Sequence, residues 1–222
     1  MKQQTGKTKY ALISAIAMLA VAVIASVSAL FAWFAQSGGA RMNGAQLSVV
    51  GENVRLGDFI ALRREYDFGE NGTFGENLTY KREGSAYYLY DNDASDFILN
   101  GTEKIPLALD GLTKKETITL EIQFYAHESY DTYSVSLRNV EGAPDVLSHI
   151  SYGEGKNLGA GTMILIDKAA LVHGTGETEN DKILTATIEF AVDFSADNAF
   201  EAAQNKGFSV GEIVIEVGRN GA

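Results

Sequence analysis

The sequence predicts a mainly β fold: an antiparallel β-sandwich of jelly-roll or Greek-key type, preceded by one N-terminal hydrophobic helix. Short segments alternate apolar and polar residues with a period of two, which is typical of strands with one solvated face. Turn residues separate these segments by connections too short for helical crossovers, so antiparallel pairing is expected. One long apolar run stands at the start of the chain.

The N-terminal segment has the pattern of an export signal. Lys2, Lys7 and Lys9 precede an apolar stretch, residues 11–34, that contains no Gly or Pro. A positive flank before an apolar core directs export, with the positive end left in the cytoplasm. The stretch is long enough to span a bilayer as a helix. Residues 1–32 are therefore predicted to be a signal peptide or a signal anchor, with the membrane and signal peptidase as partners.

Two positions fit cleavage of this segment. Ala29 ends a triplet of small-x-small type, and Ala32 is a second candidate. Cleavage would release the protein to the extracellular space, whereas retention would hold it at the cell surface. Residues 33–45 are mostly small and polar, and they are predicted to form a flexible linker.

Residues 46–222 are predicted to form the β domain. Within them, residues 116–126 and 132–140 alternate most clearly, and they are expected to pair antiparallel across residues 127–131. A third alternating strand is expected over residues 183–194. These segments supply the core face of the predicted sandwich.

Two stretches in the first half of the domain are less regular. Residues 62–65 carry several charges and fit no single pattern. Residues 67–77 are rich in Gly, Asn and Glu, so they are expected to form a loop. The next two strands, residues 78–82 and 86–90, are expected to form a hairpin around residues 83–85.

Helices are expected to be few in the exported part. Residues 195–206 are predicted to be helical, because Ser195 or Asp197 can cap the first turn and Gly207 stands where a C-terminal cap belongs. A second, short helix is expected within residues 144–149.

Charge and cysteine content exclude some classes of function. The chain has a net charge of −11, and beyond its first 32 residues it holds 15 basic and 29 acidic side chains. So acidic a surface repels phosphate backbones, which excludes nucleic acid as a partner. The chain contains no cysteine. Export without disulfides favours a bacterial origin.

One acidic turn is a weak candidate for a calcium site. Asp91, Asp93, Ser95 and Asp96 place oxygen atoms at nearly alternate positions, as calcium-binding loops do. However, Asp96 stands where such a loop requires Gly, and Thr102 stands where it requires Glu. A solvated acidic turn is the alternative, and calcium is the one cofactor left open.

No catalytic site is expected, so the chain is predicted not to be an enzyme. His127 and Glu128 begin like the zinc-binding motif of a metalloprotease helix. That motif requires a second His four residues after the first, where this chain has Asp131. The other histidines, His149 and His173, fall in or beside predicted loops.

A group of tyrosines is open to two interpretations. Tyr80, Tyr87, Tyr88 and Tyr90 stand close together near the acidic turn. As an exposed strip they would bind sugar rings or a partner protein. As half-buried strand positions they would serve packing alone.

The junction after the apolar run resembles the TasA/camelysin family of exported bacterial proteins. Residues 30–35 read LeuPheAlaTrpPheAla, and residues 43–49 read AsnGlyAlaGlnLeuSerVal. The resemblance implies a jelly-roll-like domain that builds surface or biofilm-matrix fibres. It also implies that a released N-terminal strand completes the sheet of the next subunit. Here the candidate donor strand contains Trp33, Phe34 and Met42.

Two functional hypotheses follow. The first is an exported structural protein of the bacterial cell surface or biofilm matrix that self-associates, with fibres formed by β-strand addition. The alternative is a membrane-anchored extracellular binding module, either an adhesin or a carbohydrate-binding domain. The mature N-terminus discriminates between them, because only the second requires an uncleaved segment.

Overall fold

The computed structural model describes residues 45–107, 112–174, 182–196, 201 and 208–219. The chain divides into two compact units, residues 1–38 and residues 39–222, and every described residue belongs to the second. The predicted N-terminal helix, the cleavage positions Ala29 and Ala32, the donor residues Trp33, Phe34 and Met42, and most of the helix predicted for residues 195–206 lie outside the described residues. Within the described part, no helix has the length and apolarity needed to cross a bilayer.

Strands make up most of the described chain, which confirms the prediction of a mainly β domain. The helix α1 (Pro144–Leu147) falls within the predicted residues 144–149, and a 3-10 turn covers Gly69–Asn71. The strands are β1 (Gln46–Val50), β2 (Arg55–Asp67), β3 (Thr73–Glu83), β4 (Ala86–Asp91), β5 (Asp96–Phe97), β6 (Leu99–Asn100), β7 (Glu103–Lys104), β8 (Lys115–Tyr125), β9 (Thr132–Gly142), β10 (Ile150–Tyr152), β11 (Lys156–Asn157), β12 (Gly161–Ala170), β13 (Leu184–Asp193) and β14 (Phe208–Gly218).

The strands form two main sheets. The larger has eight strands in the order β11-β10-β13-β8-β2-β3-β4-β5, and the smaller has four in the order β1-β14-β9-β12. Strands β6 and β7 form a separate two-stranded ribbon. Every pair in the eight-stranded sheet is antiparallel, as predicted.

Strands β1 and β14 pair in parallel, in a register that places Ser48 opposite Val214. The expectation of antiparallel pairing throughout is wrong here. It rested on short connections between neighbouring strands, but β1 and β14 stand at opposite ends of the domain. The connection between them is the whole domain, so nothing in its length forbids a parallel pair.

The predicted hairpin of residues 116–126 with residues 132–140 is also wrong. Strand β8 lies in the eight-stranded sheet and pairs with β2 and β13, whereas β9 lies in the four-stranded sheet and pairs with β12 and β14. The residues between β8 and β9 therefore cross from one sheet to the other. Alternation assigned the apolar face of each strand correctly, but it carries no information about which strand lies alongside.

The loop predicted for residues 67–77 is a long hairpin instead. Strands β2 and β3 pair from Phe59 opposite Lys81 to Asp67 opposite Thr73, so only the 3-10 turn and its flanks remain outside the strands. The ambiguous residues 62–65 belong to β2, in which buried and exposed positions alternate. The hairpin of β3 and β4 around residues 83–85 is confirmed.

Apolar side chains from both main sheets contribute to one core. Ile60, Leu120 and Phe124 of the eight-stranded sheet are fully buried, as are Val135 and Ile215 of the four-stranded sheet. Strand β13 shows the underlying pattern, because its residues alternate between buried and exposed along its whole length. The opposite face of the eight-stranded sheet, here called its outer face, carries half-buried and exposed side chains.

Candidate functional site

The acidic turn proposed as a calcium site uses its oxygens to hold its own backbone. Asp91 Oδ1 accepts hydrogen bonds from the backbone N–H of Asp93 at 2.8 Å and of Ala94 at 3.1 Å. Asp96 Oδ1 accepts one from the N–H of Phe97 at 2.8 Å. Among the described residues, no group of three or more His, Cys, Asp or Glu side chains is placed to hold a metal ion. The calcium site stays a prediction.

The three histidines occupy separate places in the fold. His127 Nδ1 accepts a hydrogen bond from the N–H of Ser129 within the connection between β8 and β9. His149 Nδ1 donates to the carbonyl of Asp193 at 2.9 Å, and His173 Nε2 donates to the carbonyl of Tyr130 at 2.7 Å. In these contacts each ring bonds a backbone group, and the His149 and His173 rings each join two segments far apart in the chain.

The four tyrosines singled out in the sequence divide between the two faces of the eight-stranded sheet. Tyr80 and Tyr87 point into the core and are buried. The Tyr87 hydroxyl donates to the carbonyl of Gly57 at 2.6 Å, and burial raises the pKa of Tyr87 to about 12. Tyr88 and Tyr90 alternate with these residues and lie half-buried on the outer face. Tyr80 and Tyr87 therefore serve packing, whereas binding by Tyr88 and Tyr90 stays a prediction.

The outer face carries four aromatic side chains in mutual contact, here called the aromatic row: Phe59, Tyr88, Tyr90 and Phe97. Ring centroids are 6.1 Å apart between Phe59 and Tyr90, 5.4 Å between Tyr90 and Phe97, and 6.4 Å between Tyr88 and Phe97. All three pairs meet edge to face, an arrangement that aromatic quadrupoles favour. The row crosses β2, β4 and β5, and its rings are half-buried.

Two lysines lie over the rings of the aromatic row. Lys81 Nζ is 4.6 Å from the Tyr90 centroid, and Lys104 Nζ is 3.8 Å from the Phe97 centroid. Lys104 also forms an ion pair with Glu83. Such cation–π contacts stabilise the cluster modestly at an exposed site, and they hold the lysine stems along the apolar surface.

A groove opens beside the row on the same face, with a volume of about 80 Å³. It is here called the outer groove. Its outward-pointing lining consists of Phe59, Ala61, Thr79, Glu121, Gln123 and Thr185. Phe59 belongs both to the groove and to the aromatic row, so the two form one continuous surface. Within the described part of the chain, the Glu121 and Gln123 side chains form no hydrogen bond.

A bulge in β2 lies beside the outer groove. Leu56 pairs with Phe124 and Ile60 pairs with Ile122, so three residues of β2 oppose the single residue Gln123. Gly57 sits in this bulge, and a Cβ placed on it would lie 2.5 Å from the Cβ of Gln123. Only glycine fits so close an approach. Bulges bend a strand. Phe59 ends this bulge, and it lies on the outer face because the next residue, Ile60, is buried in the core.

The sequence reasoning missed Phe59, Phe97, Lys81 and Lys104. The predicted hairpin of β3 and β4 contained one usable signal, because its register places Lys81 opposite Tyr88. Phe59 could not have been found in this way, since its contact with Tyr90 depends on the pairing of β2 with β3.

The four-stranded sheet has two edges of different character. Strand β12 pairs with β9 through three register shifts and carries charges at Asp167 and Lys168. Strand β1 pairs with β14 in continuous register and carries no charge, Pro or bulge. Within the described residues, no strand lies on the other side of β1.

The inward side of β1 is incompletely covered. Leu47 and Val49 pack against the core yet remain half-buried, and Val50 at the strand end is 48% exposed. On the outward side, Ser48 Oγ donates to Glu212 Oε1 at 2.6 Å. Among the described residues, this edge therefore combines backbone groups that pair with no further strand and apolar side chains that such a strand would cover.

Comparison of the chain with family models, with characterised proteins and with solved structures gave no match.

Proposed function

We propose that this chain is an exported structural protein of a bacterial cell surface or biofilm matrix, whose subunits join by β-strand addition at the edge of β1. The open edge of β1 is the observation that carries the proposal. An edge strand presents a row of unpaired N–H and C=O groups, which is a template for another strand. The two main sheets are proposed to face each other as a sandwich of jelly-roll or Greek-key type around their common core.

The contrast between the two edges supports this assignment. Proteins blunt exposed edges with charges, Pro or bulges. Strand β12 has the charges and the irregular register, so it is protected against pairing with another chain. Strand β1 has none of these devices. An edge left unprotected in a domain that protects the opposite one suits assembly.

The proposed incoming strand is the linker of a neighbouring copy, residues 33–44. It carries Trp33, Phe34 and Met42 among small and polar residues, and these apolar side chains would cover Leu47 and Val49. The resemblance of residues 30–35 and 43–49 to the TasA/camelysin family supports the same mode of assembly. Removal of residues 1–32 would free the strand.

Matched edge variants test the proposal in a chain that begins at Trp33. The double variant Gln46→Lys/Val50→Lys places two charges on the edge of β1. The control, Thr162→Lys/Ile164→Lys, places the same charges at exposed positions of β12. Light scattering and electron microscopy are expected to show large assemblies for the unmodified chain and the control, and small species for the β1 variant. A strictly monomeric unmodified chain, or equal behaviour of the two variants, would refute strand addition at β1.

A peptide experiment identifies the donor. A synthetic peptide of residues 33–44 should bind a chain that begins at Gln46, and binding should weaken with the Gln46→Lys/Val50→Lys change. N-terminal sequencing of the exported protein determines whether cleavage after Ala29 or Ala32 releases this strand. A blocked or intact N-terminus at Met1 would favour the membrane-anchored alternative.

A further inference from the structure

We infer that the outer face of the eight-stranded sheet binds an uncharged polysaccharide. One sugar ring would lie with an edge in the outer groove against Phe59, and its neighbours would lie along the aromatic row. This binding site is separate from the β1 edge and goes beyond the proposed assembly role. Lectin domains provide a precedent for ligand binding by double-sheet β folds.

The size of the groove indicates the form of the ligand. Enclosed sites for small molecules usually measure roughly 300–1,000 Å³, whereas the outer groove measures about 80 Å³. It can seat one edge of a ring and cannot enclose a free ligand. The aromatic row extends the surface across β4 and β5. A shallow groove continued by a row of rings suits a polymer that lies across the sheet.

The polar groups of the groove indicate the chemistry of the ligand. Glu121 and Gln123 present a carboxylate and an amide that form no hydrogen bond within the described residues. Thr185 adds a hydroxyl at the same wall. The half-buried Glu121 and Gln123 gain most from a ligand with several hydroxyls, because a carboxylate and an amide can each bond more than one of them.

Aromatic rings supply the second half of a sugar site. A pyranose ring has apolar C–H faces between its hydroxyls, and such faces pack against aromatic side chains as other apolar surfaces do. Phe59 forms one wall of the groove, and Tyr90 stands 6.1 Å from it, centroid to centroid. The site therefore offers hydrogen-bonding groups on one side and apolar rings on the other.

Charge favours a neutral polymer over an acidic one in the groove. Glu121 is the one ionisable side chain in the described lining, and the chain carries a net charge of −11. A uronic acid polymer would meet repulsion at both the local and the molecular scale. Lys81 and Lys104 would attract it, but Lys104 is paired with Glu83 and both lysines pack on rings. The balance favours a neutral chain.

Binding to insoluble polysaccharides tests the inference. The full-length chain, solubilised in a mild detergent, is incubated with cellulose, chitin and starch as neutral probes and with alginate as an acidic one. We expect binding to at least one neutral polymer that persists at high salt. Failure to bind any of the three neutral polymers overturns the inference. Binding to alginate alone, lost as salt is raised, also overturns it and assigns the lysines as the attractive groups.

Single substitutions test whether the polysaccharide binds at the outer groove. Glu121→Ala and Phe59→Ala should each weaken binding about tenfold or more, since each removes a principal contact. Glu189→Ala is the matched control, because Glu189 lies on the same face in β13 but outside the groove. Circular dichroism checks the folding of each variant, and Glu121→Ala decides the matter if Phe59→Ala fails to fold. Unchanged binding by a folded Glu121→Ala variant, or an equal loss in Glu189→Ala, overturns the site.

Discussion

At the scale of single residues, the ion pair between Arg64 and Glu116 is the chief departure from an apolar interior. Arg64 is 9% exposed and Glu116 is 2% exposed. Arg64 Nη2 lies 2.9 Å from each Glu116 carboxylate oxygen, and the N–H of Thr113 donates to Oε1 at 3.1 Å. The carboxylate is thus satisfied from two directions, which offsets part of the cost of burying two charges.

Breaking this pair should destabilise the domain strongly. Glu116→Leu leaves the Arg64 charge buried without its carboxylate, so the free energy of unfolding is expected to fall by about 3–5 kcal/mol. In Arg64→Met/Glu116→Leu the loss should be smaller than in the single variant, because no buried guanidinium remains that has lost the Glu116 carboxylate. Urea unfolding measures the free energy of unfolding of the single and the double variant. Glu216→Ala, which breaks the exposed pair with Arg138, is the control and should cost less than about 1 kcal/mol. Equal losses for Glu116→Leu and Glu216→Ala would contradict this account.

Tyr87 should make stability fall at alkaline pH. Its folded-state pKa is raised to about 12, chiefly by burial, above the ordinary value of 10.0. The folded protein therefore retains a proton that the unfolded chain releases, and the free energy of unfolding should decrease as pH rises from 10 to 12. Tyr87→Phe removes this titration and should make the decrease shallower. Urea unfolding at several pH values measures the slope, and an unchanged slope in Tyr87→Phe would contradict the assignment.

At the scale of elements, the buried face of a strand could be predicted from its sequence, whereas the strand that lies beside it could not. The alternation in β8 and β13 identified their buried faces, and the turn at residues 83–85 identified the β3–β4 hairpin. The pairing of β8 with β13, and of β1 with β14, could not be predicted, because it joins segments far apart in the chain. Residues 62–65 looked ambiguous because Arg64 places a charge at a core position that only Glu116 explains.

The candidate site, too, could be predicted only where it depends on local sequence. Tyr88 and Tyr90 were found by their position in a recognisable hairpin. Glu121 and Gln123 read as ordinary solvated positions of an alternating strand, and nothing in their local sequence sets them apart. Their place in the outer groove depends on the pairing of β8 with β2 and β13. Local patterns therefore identified the tyrosines of the aromatic row. The residues of the outer groove come together only through long-range strand pairing.

The close approach of β2 and β8 at the bulge gives a prediction at this scale. Gly57→Ala would bring its new Cβ within 2.5 Å of the Gln123 Cβ and 2.9 Å of its backbone, so the strands must separate. We expect a loss of about 1–3 kcal/mol, as for other overpacked sites. Gly75→Ala in β3 is the matched control, because no atom lies within 4 Å of its added Cβ. Urea unfolding should show no loss for Gly75→Ala, and similar losses in both variants would contradict the packing argument.

At the scale of the whole molecule, the two main sheets depend on one another. Val135 and Leu137 of the four-stranded sheet belong to the same buried cluster as Leu120 and Ile122 of the eight-stranded sheet. Opening this cluster would therefore expose apolar side chains of both sheets. A core shared in this way favours a single cooperative unfolding transition. The long-range pairing of β1 with β14 ties the two ends of the domain to the same transition.

A chain that begins at Gln46 is therefore expected to unfold in one step. It lacks Trp33, the single tryptophan, so tyrosine fluorescence reports tertiary packing and far-ultraviolet circular dichroism reports the strands. The two urea transitions should coincide. A chain that begins at Arg55 lacks β1, which uncovers the edge of β14 and removes Leu47 and Val49 from the core. Both probes should then shift to lower urea by the same amount. Two separate transitions, or a shift in one probe alone, would show that the sheets are stable independently and that β1 supports only its own.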